Sequence, residues 1–274
     1  MPDPDPVALA REFAAAYASA LVVSVPPSSR DPGFDLNAAY AVEAEFARLR
    51  LESGHKLAGR KVGYANKAMW RILKLETLVW AHVYDDTVCY ATGNSASLPL
   101  AGFISPKIEP EIVFKLNKPL ISAGLNAAAA LAAVEWLAVG FEIIDCPYPG
   151  WKFQPADFVA AFGLHRALIV GEPQSIDPSD IPELLDQLPG FKLKLSKDGE
   201  LIEEGSGKNS LRSPALCLAE LASAILRQSG AEPLSAGELI STGTLTNAQP
   251  IAAGQTWEVA LDGLAVPNLT LRLT

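Results

Sequence analysis

Near residue 78 the hydrophobic pattern of the chain changes period, and this change limits the fold more than any other feature. Before it, apolar residues recur at helical spacing. Val7, Ala10, Phe13, Tyr17 and Leu21 form one run. Leu36, Tyr40, Phe46 and Leu49 form a second, which Asp35 can cap and Gly54 can end. The glycine-flanked GRKVGY at 59–64 reads as a short buried strand, and 66–75 returns to a helical pattern. After residue 78 the chain breaks into short segments: WAHVYDD, EPEIVFKL, GFEIID, RALIVG, FKLKLS, GELIEE, ELISTG, WEVAL and LTLRLT. Most are bounded by Gly, Pro, Asn or Asp, so they read as strands. Lys197-Asp198-Gly199 and Asp262-Gly263 are hairpin-turn signals. Helices are predicted over 125–139 and 214–229, the latter ended by Gly230. The expectation is an α+β architecture, with a mainly helical lobe at 1–75 and a β-rich body at 76–274.

With 274 residues, 49% hydrophobic and 19% charged, the chain can bury a large core and is not a disordered segment. A net charge of −9 argues against nucleic acid as a partner, because phosphate binding needs a basic patch. An anionic small molecule stays open, since a bound metal can supply local positive charge. Cys89, Cys146 and Cys217 are odd in number and lack zinc-ligand spacing, which points to a reducing compartment. The apolar run at 13–25 could pass for a signal-peptide core, but it follows Asp3, Asp5, Arg11 and Glu12 instead of a basic start. It reads as an amphipathic helix of a cytoplasmic protein. No run reaches the ~18 apolar residues of a membrane span.

Three stretches carry candidate chemistry. In PKIEPEIVFKL (106–116), strand alternation puts Glu109, Glu111 and Val113 on one face and Ile108, Ile112 and Phe114 on the other. Two carboxylates side by side in an apolar strand need a cation or shared protons if buried, and Mg²⁺ suits oxygen ligands. An edge strand with a solvated face would also satisfy the pattern. In VGFEIIDCPYPGW, Glu142 and Asp145 close an apolar strand, and enough chain separates Glu142 from Glu111 for it to return alongside as a third carboxylate. In GRKVGY, Lys61 sits in a run short enough to be buried, where desolvation lowers a lysine pKa and fits it for acid–base work. A surface lysine with its stem packed on the core is the plainer alternative.

Together these stretches resemble the fumarylacetoacetate-hydrolase-like superfamily, nearest the branch of 2-hydroxypenta-2,4-dienoate hydratase and 4-oxalocrotonate decarboxylase. The likeness runs in order through AAYAVEAEF, LAGRKVGYANKAM, the YDD at 84–86, PKIEPEIVFKL, VGFEIID, DFVA, LIVG, SPALCLAELA and ELISTGTL. It implies a mixed β-roll core with a helical N-terminal part, and a homo-oligomer. It implies Mg²⁺ or Mn²⁺ held by Glu109, Glu111 and Glu142, with Lys61 beside the substrate and Thr242 and Gly243 near the substrate carboxylate. The implied substrate is a 2-oxo or 2-hydroxydienoic acid met in the breakdown of aromatic compounds. Its carboxylate and keto oxygens would chelate the metal, which stabilises an enolate as a bond breaks or a proton leaves.

The chain also departs from that branch. The polar D-T-V-A-D-N-A-S segment common there is DFVAAFGLH (157–165) here: Asp157 is kept as a catalytic candidate, while Ala161, Phe162 and Leu164 replace polar groups. Trp80-Ala81-His82, Tyr64-Ala65 and Glu43 are further differences. His82 and His165 are candidates for a compensating proton-transfer role. The loop PYPGWKFQPAD (147–157) offers Lys152 to a substrate's distal group. Two other readings compete: an acylpyruvate-type hydrolase, for which His55 and Glu52 are the nearest His-Glu pair, and a non-catalytic binder of small acids.

Overall fold

The computed structural model describes residues 5–274, so Asp3 lies outside the described residues. Helix α1 (Pro6–Ala18) starts where the Asp5 side chain accepts from the Val7 amide, and it buries Phe13 and Tyr17. A single turn, α2 (Pro27–Arg30), precedes α3 (Leu36–Glu52), which Asp35 caps as expected. Strand β1 (Leu57–Gly63) is followed by α4 (Lys67–Leu73), capped by Asn66. The chain continues through β2 (Val79–Tyr84), β3 (Val88–Tyr90), β4 (Ser95–Leu98) and β5 (Pro106–Leu116). Helix α5 (Ala127–Leu131) leads into β6 (Val134–Asp145), and α6 (Pro155–Ala160) into β7 (His165–Val170) and β8 (Gln174–Ser175). Helix α7 (Ile181–Gly190), β9 (Lys192–Lys197), β10 (Glu200–Ser206) and α8 (Pro214–Arg227) follow. The last strands are β11 (Leu239–Ser241), β12 (Gln249–Pro250), β13 (Thr256–Asp262) and β14 (Leu269–Leu273).

The strands form two sheets. The nine-stranded sheet runs β2-β1-β11-β5-β6-β7-β3, with β12 on β5 and β8 on β6; the five-stranded sheet runs β10-β9-β13-β14-β4. Both are mixed: β1 lies parallel to β11 and β14 parallel to β4, while β5 and β6 pair antiparallel over their length. The fold is therefore α+β, as the change of period predicts. Strand β1 is hydrogen-bonded between β2 and β11, so the first 75 residues contribute a strand to the large sheet as well as their helices. Close approach shapes this seam: a Cβ on Gly59 would fall 1.8 Å from the Leu239 carbonyl oxygen.

Two sequence expectations are corrected. The helix predicted over 125–139 stops at Leu131, and β6 begins at Val134. Val134, Trp136 and Val139 suit a pleated strand, and pairing from Leu116↔Val134 to Pro106↔Asp145 outweighs the helix propensity of the alanines. Asp262-Gly263 closes no tight hairpin, since β14 starts only at Leu269. Lys197-Asp198-Gly199 does: Asp198 and Gly199 take φ of 52° and 84°, as the turn between β9 and β10 requires. Among the described residues no helix is long and apolar enough to cross a membrane.

Candidate metal centre and active-site cavity

Register builds the centre. Glu109 on β5 lies opposite Glu142 on β6, and Glu111 lies opposite Gly140. The glycine is needed there, because a Cβ on Gly140 would come within 2.7 Å of Val113 Cγ2. Carboxylate oxygens of Glu109, Glu111 and Glu142 all fall within 4.8 Å of one another. Glu111 and Glu142 are fully buried, while Glu109 borders a cavity. Strand β11 supports the cluster from the other side of β5. Ser241 Oγ donates to Glu111 Oε2 at 2.5 Å, and the Gly243 amide donates to the same oxygen at 2.7 Å.

The cluster is incomplete by its own residues. Among the described residues, buried Glu111 Oε1 has no hydrogen-bond partner. Glu142 Oε1 faces His165 Nδ1 at 2.8 Å. Its Oε2 lies 3.0 Å from Lys61 Nζ, yet no hydrogen bond of good geometry reaches it. Three carboxylates thus face one buried ammonium. Burial and the Glu142 charge push Glu111 well above the carboxylate range, and burial pushes Glu109 up to about 7. Glu142 goes the other way: burial acts to raise it, but Lys61 and His165 more than offset that. An all-oxygen donor set with an orphaned buried oxygen fits a hard divalent cation such as Mg²⁺.

Lys61 is on the face of β1 that meets this cluster. Its ammonium donates to the Gly163 carbonyl at 2.9 Å and lies 4.9 Å over the Phe158 ring. The sequence suggests a depressed lysine pKa, but the direction is upward. Burial does lower it, while Glu142, Glu109 and Glu111 raise it by more. The carbonyl it uses sits in a run of left-handed residues: Phe162, Gly163 and Leu164 have φ of 59°, 63° and 57°.

Glu109 and Lys61 form part of the wall of a cavity of about 510 Å³. Its apolar side includes Trp151, Phe153, Phe158 and Leu164; its polar side includes Asn66, Lys107, Thr244 and Asn247. The 147–157 loop therefore does reach the site, but through Trp151 and Phe153. Lys152 is exposed and does not line the cavity, which corrects its assignment to the substrate. Lys107, missed in the sequence, lines the cavity instead, with Nζ 4.0 Å from the centre of the Trp151 ring. The signal was available, since Lys107 shares the β5 face of Glu109 and Glu111.

Five other candidates stand away from the cavity. His82 pairs across the sheet with Arg60 while Lys61 pairs with Ala81, so His82 faces the opposite side from Lys61; its Nδ1 contacts Glu43 at 2.6 Å. Asp157 is fully buried and saturated by the Ser28 amide and hydroxyl and the Gln154 amide, at 2.6–2.8 Å. It caps α6 and ties it to α2. Thr242 donates to the Ile112 carbonyl at 2.8 Å and packs out of the cavity, whereas Gly243 lines it. His55 stands 3.6 Å from both Asp85 and Asp86 at the surface, and Glu52 is ion-paired with Arg48.

Known proteins are similar to this chain over most of its length. The 2-hydroxyhexa-2,4-dienoate hydratase of Comamonas testosteroni is 30% identical over 246 residues, 89% of either chain. The 4-oxalocrotonate decarboxylase of Pseudomonas sp. (strain CF600) is 30% identical over 244 residues, 89% of this chain and 88% of that one. A solved 4-oxalocrotonate decarboxylase from Pseudomonas putida G7, complexed with magnesium and adipate, superposes with a TM-score of 0.88 at 26% identity, covering 98% of this chain and 97% of its own. The family described as fumarylacetoacetate (FAA) hydrolase, C-terminal, matches residues 67–271, and the chain belongs to it.

Proposed function

We propose that the protein is a Mg²⁺-dependent lyase for 2-oxo and 2-hydroxydienoic acids, acting as a hydratase or a decarboxylase on compounds that follow aromatic ring cleavage. The observation that carries this reading is the buried carboxylate triad with its unpartnered Glu111 oxygen, opening through Glu109 and Lys61 onto a cavity with an aromatic wall. Glu109, Glu111 and Glu142 would hold the ion, which when bound supplies Lewis-acid polarisation of the paired oxygens of a 2-oxo acid. Lys61 holds its proton at Nζ beside that position and stabilises negative charge developing there. Gly163 and Phe158 fix the ammonium in place, which removes the entropy of a free lysine chain. Trp151, Phe153 and Phe158 offer an apolar wall to the carbon chain of the substrate.

The related enzymes named above are a hydratase and decarboxylases, and both activities fit this division of labour. The hydrolase reading fares worse, because His55 and Glu52 are engaged elsewhere on the surface. Part of the proposal is a homo-oligomer, supported by exposed apolar side chains such as Leu21, Ile72 and Ile121; light scattering tests it.

The deciding assay offers 2-hydroxypenta-2,4-dienoate and 2-oxohex-3-enedioate to the Mg²⁺-loaded protein and follows dienoate absorbance and CO₂ release. Loss of the dienoate without CO₂ identifies a hydratase; CO₂ release identifies a decarboxylase. Turnover of either should fall about 10²–10⁴-fold in Lys61→Met. Turnover of neither, with the ion bound, would leave the non-catalytic reading standing.

A further inference from the structure

A second recess lies across His165 from the metal centre. It holds about 90 Å³, room for roughly three waters or one small molecule. His165 is the partition: Nδ1 faces Glu142, and Nε2 faces Thr87 in the recess wall at 2.9 Å. Phe162, stacked on Phe46, closes another side.

The unpartnered polar groups of this recess are donors. Tyr84 is 3% exposed, and its hydroxyl has no hydrogen-bond partner among the described residues. Arg50 Nε is also buried without a partner, while the same guanidinium lies 4.8 Å over the Tyr84 ring and reaches Asp86 through Nη2. Arg166 brings a second guanidinium, which makes one long contact of 3.5 Å to the Gly102 carbonyl. The acids nearby are already engaged: Asp86 pairs with Arg50 at the half-open mouth, and Glu43 with His82. Buried donors without acceptors are costly, and a cavity that collects them is completed by an acceptor-rich ligand. Planar oxyanions match guanidinium geometry best.

We infer that this recess is a binding site for a small planar oxyanion of the carboxylate or bicarbonate class, held by the Tyr84 hydroxyl, Arg50 Nε and the Arg166 guanidinium. The site is separate from the metal centre and does not depend on which lyase reaction the protein performs. Burial pushes the Tyr84 hydroxyl far above its ordinary range, so it stays a donor at every working pH.

The test uses the full-length, metal-free protein and ¹³C-labelled formate and bicarbonate, with binding followed by NMR line broadening and chloride as a control for ionic strength. Saturable binding of one anion per chain is expected. It should survive Lys61→Met, which disables the main cavity, and weaken at least tenfold in Tyr84→Phe, which removes only an unpartnered oxygen. Arg166→Gln, at a more exposed position, should weaken it as well. Binding of bicarbonate alone would mark dissolved CO₂ as the source; binding of both anions would mark small carboxylates in general. The inference is overturned if wild type binds neither, if Lys61→Met abolishes binding while Tyr84→Phe keeps it, or if crystals soaked in both anions hold only water in the recess.

Discussion

Glu111 and Asp157 are both wholly shielded from solvent, and they are finished in opposite ways. Each oxygen of Asp157 receives protein donors, from Ser28 and Gln154. Glu111 has two donors on one oxygen and none on the other, with two more carboxylates close by. A buried acid completed by its own chain holds structure together. One left incomplete among like charges stays that way only if something else completes it.

The comparison can be broken most decisively at Glu111. Glu111→Gln should weaken Mg²⁺ binding by on the order of 100-fold by calorimetry, while leaving the metal-free protein folded and no less stable. Retained affinity would remove Glu111 from the ligand set. Asp157→Asn should do the reverse: about 2 kcal/mol of stability lost in urea unfolding, with Mg²⁺ affinity within twofold of wild type.

A smaller effect comes with pH. In the metal-free protein Glu109 and Glu111 are raised above the ordinary 4.5, Glu109 to about 7. Their protonated forms favour the fold, so the stability they contribute is present below 4.5; the Glu109 share is lost as pH rises through about 7, and the Glu111 share as pH rises through its own raised value. Glu142 is lowered, and its contribution disappears only in acid, as pH falls through its folded value. The melting temperature of the metal-free protein should therefore fall between pH 5 and pH 8, and Mg²⁺ should raise it most at the upper end. A flat profile would mean that the triad is better compensated than its geometry indicates. The smallest change is expected from His82→Ala, which removes a partner of Glu43. About 1 kcal/mol of stability should go, with turnover unchanged, and a large loss of turnover would return His82 to the catalytic machinery.

That Glu109 and Glu111 share one face was legible in the sequence because alternation along a strand is local, while their assignment to a metal came from the family resemblance. A single residue of β5, Pro110, separates Glu109 from Glu111, and the same rule would have found Lys107. The burial of Lys61 was one of two readings that its short glycine-flanked strand left open, and packing of the sheet selects it. The fates of Asp157, Thr242 and Lys152 were not legible, since each depends on which way a side chain points after α6, β11 or the 147–157 loop has packed. Asp157 sits in the first turn of a short helix, where an acid is equally at home as a cap. The direction of the Lys61 shift was hidden for a related reason: its sign is set by three carboxylates that only the folded sheet brings near. Likewise the alanine run before β6 has a strong local preference for helix, and the pairing that cuts it short comes from β5.

The place of β1 between β2 and β11 has a consequence for biosynthesis. Its hairpin partner follows almost at once on the ribosome. Its parallel partner, where Ser241 stands opposite Lys61, is made 180 residues later. At ordinary elongation rates that is roughly ten to forty seconds later. Until then Lys61 has the β2 side of its sheet alone, and Glu111 lacks both of its donors. A nascent chain cut short before residue 239 therefore lacks both groups that hold Glu111 in place.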